Sequence, residues 1–176
     1  MPYVHIIGDI VGASGFPSQS LFCKWDVVAD KRFWEKLEGE IEGQTQTDCP
    51  ADGEFAVFAH PIDIHYQTSS ISGWPKFSFQ IWHSDFFGRS EFYGYGFCHL
   101  PTKPGDFTLE VACWRPQGTF YEELRHHFLG GAPQLRNPEL VYSGEDRYRL
   151  KTVTMGTVHL QLSVVFKDFA RHGIQW

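Results

Sequence analysis

The stretch Ser84–Pro101, SDFFGRSEFYGYGFCHLP, sets a polar aromatic loop ahead of a strand with glycine at alternate positions. With a period of two, Tyr93, Tyr95 and Phe97 face one way, and Gly94 and Gly96 face the other. Glycine weakens a strand interior, so two of them on one face predict bulky side chains packing over a bare patch. A twisted, packed sheet meets that requirement, with Trp82 or Trp114 as the expected filler.

Other segments alternate in the same way. Phe77, Phe79 and Ile81 share a face of KFSFQIW, and Phe107, Leu109, Val111 and Cys113 share a face of DFTLEVACW. Val158, Leu160, Leu162, Val164 and Phe166 oppose His159, Gln161, Ser163 and Lys167. Weaker strand patterns cover 4–11, 21–28, 54–60, 62–66 and 147–151, and 31–42 reads as a helical turn or a twisted hairpin. Clusters such as GASGFPSQS, SSISGWP and PTKPGD separate the segments. The expected fold is all-β, an antiparallel β-sandwich of about eight strands. One short capping helix joins it: in TFYEELRHHF, Thr119 and Glu122 have capping-box spacing, Phe120, Leu124 and Phe128 form a stripe, and Gly130-Gly131 can stop it. With no linker, repeat or low-complexity tract, residues 1–176 read as a single domain.

Hydrophobic residues make up 42% of the 176 and aromatics 16%, which argues for a packed core. Fifteen Lys and Arg against 21 Asp and Glu leave no electrostatic footprint for nucleic acid. Cys23, Cys49, Cys98 and Cys113 lack CxxC or zinc spacing. No signal-peptide pattern, membrane-spanning run or lipidation motif is present, so a cytoplasmic protein with free thiols is expected.

Motifs for chemistry are sparse. Gly8, Gly12 and Gly15 lack GxGxxG spacing, and HPIDIH offers His60, Asp63 and His65 without further ligands, so an outward polar face is the simpler reading. His126 and His127 point about 100° apart on a helix and cannot easily share an ion. There is no GxSxG, HExxH or P-loop, and no enzyme is expected. Arg147, Arg149 and Lys151 alternate on one strand face as a candidate anion or lipid patch, although Glu145 and Asp146 lie beside them.

The segment IWHSDFFGRSEFYG resembles the signature loop of C2 domains, where carboxylates at one end of a sandwich hold calcium. Trp82 takes the place of that motif's tryptophan, His83 of its first aspartate, Asp85 of its second and Glu91 of its third acidic residue. In the neighbouring loop, VGASGFPSQSLFCKW, Ser14 and Gln19 stand where aspartates are expected. The resemblance therefore implies a degenerate ion site, with no metal and no cofactor. Phe86, Phe87 and Arg89 have the composition of a partner-binding anchor, or else the rings fold down as loop plugs.

The phrases VHIIGDIVGASGF, SLFCKW, EGQTQTD, HPIDIHYQT, GWPKFSFQIW, DFFGRSEFYGYGFCHLP, WRPQGT, GGAPQL, YSGEDRYRL and GTVHLQL resemble the B9-domain family, most strongly over 4–116, with 117–176 completing the fold. That resemblance implies a C2-like, non-catalytic scaffold at the cilium base, at the transition zone and basal body. Its implied partners are other B9-domain proteins, including the Meckel-syndrome B9 protein, and members of the tectonic complex. The implied role is in ciliogenesis and in the diffusion barrier to membrane proteins. The alternative is a calcium-independent module that contacts acidic membrane lipid.

Overall fold

In the computed structural model, which describes residues 1–51, 55–119, 121, 124, 131–143 and 150–173, the alternating segments are strands. They are β1 Tyr3–Ser14, β2 Leu21–Val28, β3 Trp34–Gly39, β4 Glu42–Gln44, β5 Phe55–Thr68, β6 Lys76–Ser84, β7 Ser90–His99, β8 Gly105–Pro116 and β9 Thr152–Lys167. All pair antiparallel in one curled sheet of order β3-β5-β1-β9-β8-β7-β6-β2-β4. The sheet folds over so that β3-β5-β1-β9-β8 packs against β7-β6-β2-β4. One core between these layers takes Ile6 and Ile10 from β1, Phe58 and Ile64 from β5, Leu160 and Leu162 from β9, and Phe77, Phe79 and Ile81 from β6. Phe58, Phe77 and Phe79 are wholly buried, and burying each is worth ~2–3 kcal/mol.

Nine strands form where about eight are expected, because two segments resolve differently. The stretch 31–42 is not a hairpin: β3 pairs with β5 at one edge of the sheet, and β4 pairs with β2 at the other. Gly39 makes the departure with φ +90°, where a Cβ would sit 2.0 Å from the Asp63 carbonyl oxygen. Conversely, 54–60 and 62–66 belong to one strand, β5, in which Ala59 has φ 44° and the pairing with β1 shifts between Ile10 and Gly12. Lys151 precedes β9 outside any strand, while Arg147 and Arg149 lie outside the described residues. Of the capping helix, Phe120, Glu122 and Phe128 lie outside the described residues, as do His126 and His127. Tyr121 and Leu124 are helical and exposed.

The glycine strand departs from strict alternation at one residue. Ile81 of β6 pairs with Gly94 and Trp82 pairs with Phe92, which leaves Tyr93 as a bulge. Tyr93 therefore packs toward the main core, while Phe92, Tyr95 and Phe97 face outward. The filler is also different from the one expected. Gly96 pairs with Phe79, on the core side, and its Cβ position is 2.9 Å from Cys113 Sγ and 3.2 Å from Val111 Cγ1. Trp82 and Trp114 lie on the opposite face, in a second cluster with Phe92 and Tyr95 that Ala132, Leu135, Val141 and Tyr142 cover. The Tyr95 hydroxyl accepts from the Leu135 amide (3.2 Å), and Lys76 Nζ donates to the Tyr142 carbonyl (3.2 Å).

Gly96→Val is expected to cost ~2 kcal/mol by overpacking and to lower Tm by roughly 6 °C. A Gly96→Val protein that melts with the parent would show that β8 has room to withdraw.

Candidate functional site

Two loops meet at one end of the sheet: Gly15–Ser20 after β1, and Asp85–Arg89 between β6 and β7. The Ser84 amide donates to the Ser20 carbonyl (2.9 Å), and His83 Nδ1 donates to the same oxygen (2.8 Å), with the Ser18 hydroxyl 3.0 Å from that nitrogen. The His83 ring stacks on Tyr93 at 5.4 Å, and Tyr93 stacks on Phe16 at 6.5 Å. Burial pushes the Tyr93 hydroxyl above its ordinary pKa. The bulge at Tyr93 thus serves this end, by turning a ring inward to carry both His83 and Phe16.

Asp85 organises the second loop. Its Oδ1 accepts from the amides of Phe87 (2.9 Å) and Arg89 (2.7 Å), and its Oδ2 accepts from Arg89 Nε (2.8 Å). The Asp85 amide donates to the Arg89 carbonyl (2.9 Å), and the Gly88 amide donates to the Asp85 carbonyl (3.0 Å), closing a tight turn with Gly88 at φ 76°. The Arg89 backbone N–H, followed by its guanidinium, holds the Asp85 carboxyl below the usual carboxylate range.

With the backbone fixed in this way, the loop turns its rings outward. Phe86 is 99% exposed and Phe87 80%, with their rings edge to face at 5.8 Å and the Arg89 guanidinium 5.7 Å from the Phe87 ring. They are not plugs. Two unsheltered aromatics on a braced turn have the makings of a contact anchor, since little ordering entropy remains to be lost on binding.

The five positions expected to form a degenerate ion site are engaged in different ways. Ser14 is engaged with His159 Nε2 (2.8 Å), Gln19 points to solvent, His83 ties the loops together, and both oxygens of Asp85 serve the turn. Glu91 sits opposite His83 across the β6–β7 ladder, with an interaction of its own. Among the described residues, no group of three or more His, Cys, Asp or Glu side chains is placed to hold a metal. Of HPIDIH, Asp63 bonds to His5 Nε2 (2.6 Å), His65 lies beside the His5 ring at 5.1 Å, and His60 packs separately against Trp25. All four cysteines are free, and Cys23 and Cys113 are buried with their thiols pushed up by desolvation. Sequence reasoning missed Ser18, Phe16 and the inward turn of Tyr93, because each depends on cross-strand register.

A carboxyl with a lowered folded-state pKa stabilises its surroundings above its unfolded value and loses that contribution as pH falls through the lowered one. The Phe87 and Arg89 amide resonances should therefore hold steady from pH 7 to about 4 and move together only below that. Movement centred near pH 6 would show that the turn answers to another group.

Residues 4–165 match the family model described as "Ciliary basal body-associated, B9 protein". B9 domain-containing protein 2 of Danio rerio is 51% identical over 175 residues, and that of Homo sapiens is 48% identical, in both cases across 99% of each chain. B9 domain-containing protein 1 of Xenopus laevis is 27% identical over 173 residues, covering 97% of this chain and 87% of the relative. Among solved structures, a C2 domain of plant Extended Synaptotagmin 1 aligns over 92% of each chain with 13% identity and a TM-score of 0.45. The ordered match across nearly the whole length settles the kinship: the chain belongs to the B9 family of ciliary basal body-associated proteins.

Proposed function

We propose that this protein is a non-catalytic scaffold subunit at the base of the cilium. It would act in the transition zone by binding other B9-domain proteins, the Meckel-syndrome B9 protein among them, and tectonic-complex members. The assembly would restrict the passage of membrane proteins and support ciliogenesis. Family membership supports the place, and B9 domain-containing protein 1 is an available candidate of the same kind for direct binding. The observation that carries the binding role is the Asp85-braced turn, which holds Phe86 and Phe87 exposed. Calcium has no part in this reading, because the loop carboxylate that would bind it is spent on the turn itself.

Exposed rings beside an arginine also suit a loop that touches acidic lipid. Against that reading, the Arg89 charge is matched by Asp85. Sedimentation with anionic vesicles decides it: salt-sensitive binding without calcium would favour the membrane reading, and its absence would remove it.

A tagged copy in ciliated cells should form a focus between basal body and axoneme and should co-purify with other B9-domain proteins. A diffuse pattern without those partners would overturn the proposal. Phe87→Ala or Arg89→Glu should weaken that association about tenfold, on the order of 1.4 kcal/mol, and leave Tm within about 1 °C of the parent. Unfolding by Phe87→Ala would instead make the ring a structural element.

A further inference from the structure

The two layers treat their outer faces differently. The outer face of β6-β7-β8 carries Trp82, Phe92, Tyr95 and Trp114, and the chain covers it with its own segment around Ala132–Tyr142. The outer face of β3-β5-β1-β9-β8 is left open among the described residues, although it is not uniformly polar. Ile7 is 42% exposed there, Val165 52% and Val57 51%.

The register fixes what stands beside what. One row across the strands runs Glu38, His65, His5 and Val165, and the next runs Asp63, Ile7, Ser163 and Asp106. Ile7 and Val165 are thus diagonal neighbours at the middle of a broad surface, close enough to form one apolar centre. Around them stand the carboxylates of Glu35, Glu38, Asp9, Asp63, Asp106 and Glu110. The one Lys or Arg in these rows, among the described residues, is Lys167, which lies 5.9 Å from the Tyr3 ring. Two of the carboxylates are hydrogen-bonded: Asp63 to His5 Nε2 (2.6 Å) and Asp106 to the Ser163 hydroxyl (2.5 Å).

An apolar centre inside a rim of fixed charge is how a protein docking surface is built, and the sign of the rim selects the partner. We infer that this open sheet face docks a second protein through a cationic surface, with Ile7 and Val165 at the apolar centre. The inference rests on the scaffold reading and adds a surface distinct from the Phe86–Phe87 turn. A second copy of this chain would bring carboxylate against carboxylate on this face, and an anionic leaflet would meet the same repulsion. The complementary occupant is a different protein that presents Lys or Arg around an apolar patch.

The test uses the full-length protein isolated from ciliated cells with its bound proteins. A carbodiimide, which joins carboxylates to nearby lysine amines, should link Asp63, Asp106 or Glu110 to lysines of another chain. Replacing all three by lysine should weaken association with that chain at least tenfold, steepen the loss as salt is removed, and leave Tm nearly unchanged. Links arising only from carboxylates elsewhere, such as Asp48 or Glu139, would overturn the inference. So would charge reversal that leaves association within twofold of the parent. If no B9-domain protein co-purifies at all, the scaffold reading falls and this surface falls with it. If they co-purify but ignore the reversed charges, only the face assignment is lost. The cross-link is read on the unaltered chain, so a variant that folds poorly does not blunt the test.

Discussion

At β7 the sheet has to turn from one layer to the other, and Gly94 and Gly96 make that turn sterically possible. β7 and β8 share a single paired position, Tyr95 with Trp114, whereas β8 and β9 pair along their whole length. At Gly96 the Cys113 sulfur and a Val111 methyl occupy the space a side chain would claim, and at Gly94 the Trp114 carbonyl and Met155 come within 3.5 Å of the Cβ position. The close approach lets Cys113 and Val111 join the core that β6 fills with Phe77, Phe79 and Ile81. It also sets Tyr95 against Trp114 outside, with the rings tilted at 52° and 5.8 Å apart, where a second cluster secures the crease. The two-layer arrangement depends on this joint, since β7 is where the layers connect in the sheet order.

The alternation of apolar residues made most of the strands legible, because a half-buried strand needs little beyond period two to be recognised. β9 is the clear case: Val158, Leu160, Leu162 and Val164 are buried as their spacing requires. What alternation could not convey was pairing. The stretch 31–42 read as a helical turn or a twisted hairpin, yet its two strands close opposite edges of the sheet. Nothing local distinguishes those outcomes, since the choice is made by β5 and β2. The bulge at Tyr93 was equally hidden, and it reversed the reading of one aromatic while leaving Tyr95 and Phe97 in place. At the loop end, Asp85, Phe86, Phe87 and Arg89 were legible as a group by their composition. Their exposure was not legible, because it depends on the carboxylate-to-amide bonds that fold the turn.

The loop end is braced by bonds among its own residues. His83 bonds to the facing loop and stacks on Tyr93. Asp85 accepts from the amides of its own turn. A binding surface that is already ordered in this way loses less entropy on association. The same logic extends to the open sheet face, whose side chains stand on paired strands of the larger layer. The two proposed contact surfaces, at an end and on a broad face, would allow one small protein to hold two neighbours at once.

Function is proposed to reside in these exposed surfaces, on a frame fixed by the β7–β8 crease. Hydroxyl-radical footprinting of the free protein and of its complex with B9-domain partners tests this most directly, because it reads side-chain access residue by residue. The account predicts that Phe86 and Phe87, together with Ile7 and Val165, lose reactivity in the complex, while Tyr121 and Ile71 stay as reactive as in the free protein. Protection confined to Tyr121, Ile71 or the segment that covers Trp82, with the turn and the open face unchanged, would contradict it.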